Sequence, residues 1–249
     1  MSIAPLTAAA LLAAWDRGAA QHPLDRALSL LQAATPDAAS AALARLPLGE
    51  RDRRLWELRA ATFGPRLEAL AVCPACGAAI EFDLRVSEIL DNFSPTEESR
   101  ENPPTAWREG DWCLTYRLPD SWDLAAVAHP GSLAPTAVLA GRIIERAAEG
   151  DAKRLPGTLP TEILAAFERH LATVDPLADL QLDLSCPDCA HAWPEPFDIA
   201  SFLWEEVVAE ARRLLGEVSV LARAFGWSEA AILALSPTRR AAYLEAIDA

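Results

Sequence analysis

The chain has 249 residues, 51% of them hydrophobic and 23% charged, so it holds the material for a substantial core. Its formal net charge is −14, the opposite of what recognition of a phosphate backbone requires, so nucleic acid is not an expected partner. No run of about 18 apolar residues occurs, and Met1-Ser2-Ile3-Ala4-Pro5 lacks the basic and apolar regions of a signal peptide; a cytoplasmic protein without membrane contact is expected.

The first segment, residues 1–46, reads as short Ala-rich helices, with Pro23 and Pro36 each opening one. Leu24, Leu28 and Leu31 share a face suited to packing on the rest of the chain. Residues 47–91 begin with a helix over 50–63, stopped by Gly64-Pro65. Its arginines, Arg51, Arg53, Arg54 and Arg59, read as a solvated face. A strand then runs into Cys73-Pro74-Ala75-Cys76-Gly77, and an alternating strand leaves it, which predicts a hairpin with a cysteine pair at its tip.

Residues 92–175 form an insertion: a polar loop over 92–111, a strand from Trp112 to Leu118 that buries Cys113, a helix over 122–128 capped by Ser121, and helices near 134–148 and 160–173. Residues 176–249 return to a hairpin. An alternating strand leads into Cys186-Pro187-Asp188-Cys189, and a strand containing Pro194 and Pro196 leaves it, as at a sheet edge. Phe82-Asp83-Leu84 and Phe197-Asp198-Ile199 match, so the hairpins read as an internal repeat. A long helix follows, with Ile199, Leu203, Val207, Leu214, Val218, Leu221 and Phe225 on one stripe, Asp198 as cap and Gly226 as stop. Two short helices, starting near Ser228 and Ser236, complete the chain.

Zinc takes four ligands in a tetrahedron and favours thiolates, and one Cys-x-x-Cys turn presents two sulfurs. Cys73, Cys76, Cys186 and Cys189 therefore predict one structural Zn²⁺ site shared by both hairpins, a split zinc ribbon in an α+β, mostly helical fold. Gly77 suits the left-handed backbone of such a knuckle, and Ala190 fits the same place less easily. The rival reading is a thiol–disulfide redox protein using Cys-Pro-x-Cys, but that motif normally opens a helix in a βαβ unit. A nucleic-acid-binding ribbon is a further alternative, disfavoured by charge. His191, close to Cys189, is not needed to fill the tetrahedron, and Glu205-Glu206 reads as a solvated pair. No phosphate loop, nucleophile elbow or catalytic zinc motif is present, so a non-enzymatic protein is expected. Trp204, Trp227 and Tyr243 are candidate anchors for a partner protein, with core packing as the alternative for the tryptophans.

Three stretches carry a family likeness. The first is Phe63-Gly64-Pro65-Arg66-Leu67-Glu68 with the Cys73 knuckle, and the second runs from Cys186 to Glu206. The third comprises Arg212-Arg213-Leu214-Leu215, the Ala224 to Glu229 turn and residues 233–245. Together they resemble the zinc-ribbon proteins of bacterial contractile injection system loci, which look like T4-type phage baseplate proteins of the hub assembly chaperone group. The resemblance covers about Pro47 to the end. It implies work by protein–protein contact with baseplate or spike proteins of a phage-tail-like particle, without catalysis.

Overall fold

The computed structural model describes residues 3–93, 105–128 and 135–248. Helix α1 (Ala8–Gly18) starts where the Thr7 hydroxyl accepts the Ala10 N–H, and α2 (Pro23–Ala34) starts on a proline that has no N–H to leave unpaired. The short α3 (Ser40–Ala44) leads to α4 (Leu48–Phe63), which ends at Gly64 with φ +101°, a conformation other residues avoid. Strands β1 (Arg66–Val72) and β2 (Ala79–Arg85) form an antiparallel hairpin that runs into α5 (Val86–Phe93).

A second unit follows. Strands β3 (Ala106–Glu109), β4 (Trp112–Tyr116), β5 (Ile144–Glu149) and β6 (Ala152–Arg154) form an antiparallel sheet in that order. Helices α6 (Ser121–Val127), α7 (Pro135–Ile143) and α8 (Thr161–Val174) accompany it. The chain then makes the hairpin β7 (Gln181–Ser185) and β8 (Ala192–Pro196), the long α9 (Ile199–Phe225), and α10 (Glu229–Leu233) and α11 (Pro237–Asp248). The fold is thus α+β and mostly helical.

Apolar burial divides between two clusters. The larger joins α1, α2, α4, the two hairpins and α9 through Leu11, Leu30, Leu55, Leu67, Leu182 and Leu203. The smaller fills the second unit with Leu114, Tyr116, Ile143 and Phe167. Carboxylates fasten one unit to the other at the head of α4. Asp175 accepts the Gly49 N–H at 3.0 Å, and Arg45 pairs with Asp120 at 3.0 Å. A Cβ on Gly49 would lie 1.8 Å from Asp175 Oδ1, so only glycine allows that approach. Burial raises the Asp175 carboxyl above its usual range, against the Gly49 N–H that favours the charged form.

Asp123 organises the turn into α6. Its side chain accepts from Arg117 at 2.6 and 2.9 Å, from Arg142 at 2.9 Å and from the Asp120 N–H at 3.0 Å. Burial pushes this carboxyl up, but those donors outweigh it and hold it at about 2.

Several expectations change. Pro36 lies in a turn, and α3 begins at Ser40. Asp120, not Ser121, caps α6, in a reciprocal capping box with Asp123. The helix read near 134–148 ends at Ile143, because the next residues pair with β4, a long-range preference that local periodicity does not reveal. Of the loop read over 92–111, Asn92 and Phe93 continue α5 and 106–109 form β3; residues 94–104 lie outside the described residues, as does Ala134. The arginines of α4 do not form a solvated face. Arg51 and Arg59 are only 5% and 4% exposed, and Arg53 and Arg54 pair with Glu50. Burial pushes Glu50 up, yet Arg53 and Arg54 outweigh it and hold its carboxyl at about 2. Cys113 is half-buried.

Asp123→Asn keeps the shape of the side chain but removes its charge and an acceptor. It is expected to cost about 1–3 kcal/mol of unfolding free energy in urea titration at neutral pH.

Candidate metal centre

Each hairpin ends in the same backbone knuckle. The Cys73 N–H donates to Ala78 O at 2.9 Å and the Gly77 N–H to Cys73 O at 2.9 Å. In the second, the Cys186 N–H donates to His191 O at 2.8 Å and the Ala190 N–H to Cys186 O at 2.9 Å. Both turns need a left-handed residue: Gly77 has φ +77° and Ala190 has φ +58°, the one positive φ outside glycine among the described residues. Ala190 therefore adopts the conformation that suits its position less easily, at an expense on the order of 1 kcal/mol.

Strand lengths differ around this shared turn. β1 and β2 have seven residues each, β7 and β8 five. The Phe-Asp-Leu and Phe-Asp-Ile matches are consequently not equivalent places. Asp83 lies in β2 opposite Glu68, whereas Asp198 caps α9 through the Ala200 and Ser201 N–H groups. The knuckles repeat; the strand ends do not.

Helix α4 aims the two hairpins at each other. Trp56 stacks on Phe197 with centroids 5.2 Å apart, holding the exit of the second hairpin. Three residues on, Arg59 binds Glu206 at 2.7 and 3.0 Å and donates to Gly64 O at 2.7 Å and to Arg66 O, holding the entry of the first. Positions i and i+3 share a helix face, so both anchors project from one side of α4. Their spacing is visible in the sequence, but Phe197 and Glu206, the partners that tie them to the second hairpin, lie more than a hundred residues away. Glu206, read with Glu205 as solvated, is one of those partners.

The four sulfurs meet between the hairpins. All lie within 4.8 Å of one another, with Cys73 to Cys189 at 3.7 Å and Cys76 to Cys186 at 3.6 Å. A disulfide needs about 2.05 Å, so these are separate thiols. A tetrahedron with zinc–sulfur bonds of about 2.3 Å has edges of about 3.8 Å, close to the two cross-hairpin distances. Cys73 and Cys186 are buried; Cys76 and Cys189 are exposed.

Electrostatics at the cluster also suits a cation. At Cys73 burial disfavours the thiolate, but the Cys76 and Ala75 N–H groups outweigh it and bring the thiol down to about 7. At Cys76 the Ala78 N–H favours the thiolate, yet the neighbouring Cys189 and Cys186 sulfurs outweigh it and push the thiol up to about 12. One negative sulfur thus excludes a second nearby, and a divalent cation at the centre removes that conflict. The cluster can hold a metal ion in a closed, fully thiolate shell, which leaves no position for a substrate. His191 instead stacks on Trp193 at 5.9 Å.

The candidate aromatic anchors separate. Trp204 is 6% exposed, with Arg26 4.8 Å over its ring, and a Cβ on Gly18 would strike that ring at 2.3 Å. It packs in the core of the chain. Trp227 and Tyr243 are half-buried and meet edge to face at 4.8 Å, with Phe225 stacked on Trp227 at 4.7 Å and 40% exposed.

Residues 24–204 match the model of the family described as T4 bacteriophage base plate protein. The match holds both knuckles and starts in α2, earlier than the likeness read from Pro47; the markers from Arg212 onward lie beyond it. No curated protein and no solved structure matches the chain.

Gly77→Ala adds a Cβ that meets nothing within 4 Å, so its whole effect is backbone strain. It should lower unfolding free energy by about 1–2 kcal/mol, while Ala190→Gly should cost nothing in the same denaturant measurement.

Proposed function

Since the chain belongs to the T4 bacteriophage base plate protein family, we propose that it is a non-enzymatic baseplate protein, or baseplate hub assembly chaperone, of a phage-tail-like contractile injection system. The family match over residues 24–204 is the observation that carries this reading. The metal of the four-cysteine cluster is zinc, and its role is structural. Cys73, Cys76, Cys186 and Cys189 hold it, the hairpins are thereby locked together, and the hairpins fix where α9 leaves the core. The partners are other baseplate or spike proteins, met in the cytoplasm as the particle is built.

The chain's own residues support a binding role at the far end of α9. Arg240, 2% exposed, donates to Glu217 at 2.7 Å and to Leu235 O at 2.7 Å, pinning α11 to α9. The Phe225, Trp227 and Tyr243 rings close the same corner and leave Phe225 partly exposed. Trp227 and Tyr243 therefore shape a partner-facing corner more than they fill it. Among the described residues no helix is long and apolar enough to cross a membrane.

Particles and their assembly intermediates purified from cells expressing the whole particle locus test this. The chain is expected in baseplate intermediates at fixed stoichiometry. Retention in finished particles identifies a permanent subunit, and loss on completion an assembly chaperone. Absence from both overturns the reading.

A further inference from the structure

The outward face of the first hairpin differs from that of its counterpart. In β1, Leu67 and Ala71 are buried, while Leu70 and Val72 stand 63% and 58% exposed. The register sets Leu70 opposite Glu81, Val72 opposite Ala79 and Glu68 opposite Asp83. One face thus carries two exposed aliphatic side chains and three carboxylates, with Arg66 opposite Arg85 at its far end, and the carboxylates and Leu70 line a shallow open depression that neither arginine borders. Like charges directly opposite on paired strands are unfavourable. Among the described residues no ion pair involves Glu68, Glu81 or Asp83; the nearby Arg85 turns to Glu88 at 3.6 Å.

The metal centre does not require this pattern. The second hairpin makes the same knuckle, yet its outward pairs are Gln181 with Pro196, Asp183 with Pro194 and Ser185 with Ala192. That face has no large aliphatic side chain and no opposed carboxylates, and its prolines block strand addition along β8. What distinguishes the first hairpin is a feature that knuckle geometry leaves free.

We propose that the outward face of β1 and β2 docks a segment of a partner protein in which two apolar side chains are flanked by Lys or Arg. This rests on the baseplate reading and names the chemistry of the partner within it. Charge complementarity selects the occupant. A cationic segment relieves the repulsion between Glu68 and Asp83, and its apolar residues cover Leu70 and Val72, whereas an anionic surface is repelled. A second copy of this chain would bring the same carboxylates toward each other. The knuckle fixes both strands beforehand, so docking orders little backbone.

Two surface variants of the full chain, Leu70→Ser with Val72→Ser, and Glu68→Lys with Glu81→Lys and Asp83→Lys, test the proposal. Each is checked first for zinc content and melting temperature. With both at wild-type values, the chain recovered in purified baseplate intermediates should fall at least tenfold, and Leu70→Ile with Val72→Ile should restore it. Recovery equal to wild type overturns the docking face and leaves the baseplate reading standing; failure of the wild-type chain to be recovered overturns both. As a second measurement independent of particles, a peptide alternating Leu and Lys is titrated into the isotope-labelled full chain. Shifts should centre on the amides of residues 68–72 and 79–83. Shifts centred elsewhere, equal shifts from a Ser–Lys peptide of the same charge, or loss of self-association as the sole effect of the variants would contradict it.

Discussion

One face of α4 sets the position of the metal centre. Trp56 grips the exit of the second hairpin through Phe197, and Arg59 grips the entry of the first through Gly64 O, Arg66 O and Glu206. Because these anchors are three residues apart, the hairpins cannot shift independently of each other. Their tips then bring four sulfurs within 4.8 Å, although Cys76 and Cys186 lie 110 positions apart in the chain. Metal binding to such a set is worth on the order of 10 kcal/mol, comparable to the entire stability of an ordinary domain. A metal held in a closed thiolate shell of that strength would act on folding and would leave no open ligand position on itself for chemistry.

Charge is handled locally despite the acidic total. Arg59, the Glu50 group, Asp123 with its two arginines, and Arg240 with Glu217 are internal pairs whose partners lie on different turns or elements. Breaking one buried partner leaves the other uncompensated, so these pairs specify geometry more than they add net stability. Asp175 does the same work between the two cores at the first turn of α4, and Asp120 just before it, at the end of α3. The head of α4 thus receives the second unit and its tail receives the hairpins, and one helix registers both.

Much of this was legible in the sequence. The paired Cys-x-x-Cys turns, the alternating strands on each side, the long stripe from Ile199 and its cap at Asp198 all rest on local rules of spacing. Tertiary choices were not legible. Nothing around Ile143 and Ile144 tells where helix gives way to strand, because the deciding partner is β4. Arg59 looks like part of a solvated face until Glu206 arrives from α9, and Arg51 until packing buries it together with the adjacent Asp52. Trp204 falls off the main stripe of its helix, a place that points to a second packed surface, and Gly18 of α1 lies against it there. The matched Phe-Asp triplets misled in the other direction, since local likeness survived a change in strand length.

Zinc K-edge X-ray absorption on the purified full chain tests the central claim most directly. Four sulfur neighbours at about 2.3 Å, with no nitrogen or oxygen in the inner shell and about one zinc per chain, are the expected result. A mixed shell containing water or imidazole, or a chain that purifies folded and without metal, would contradict a structural centre shared by the two hairpins.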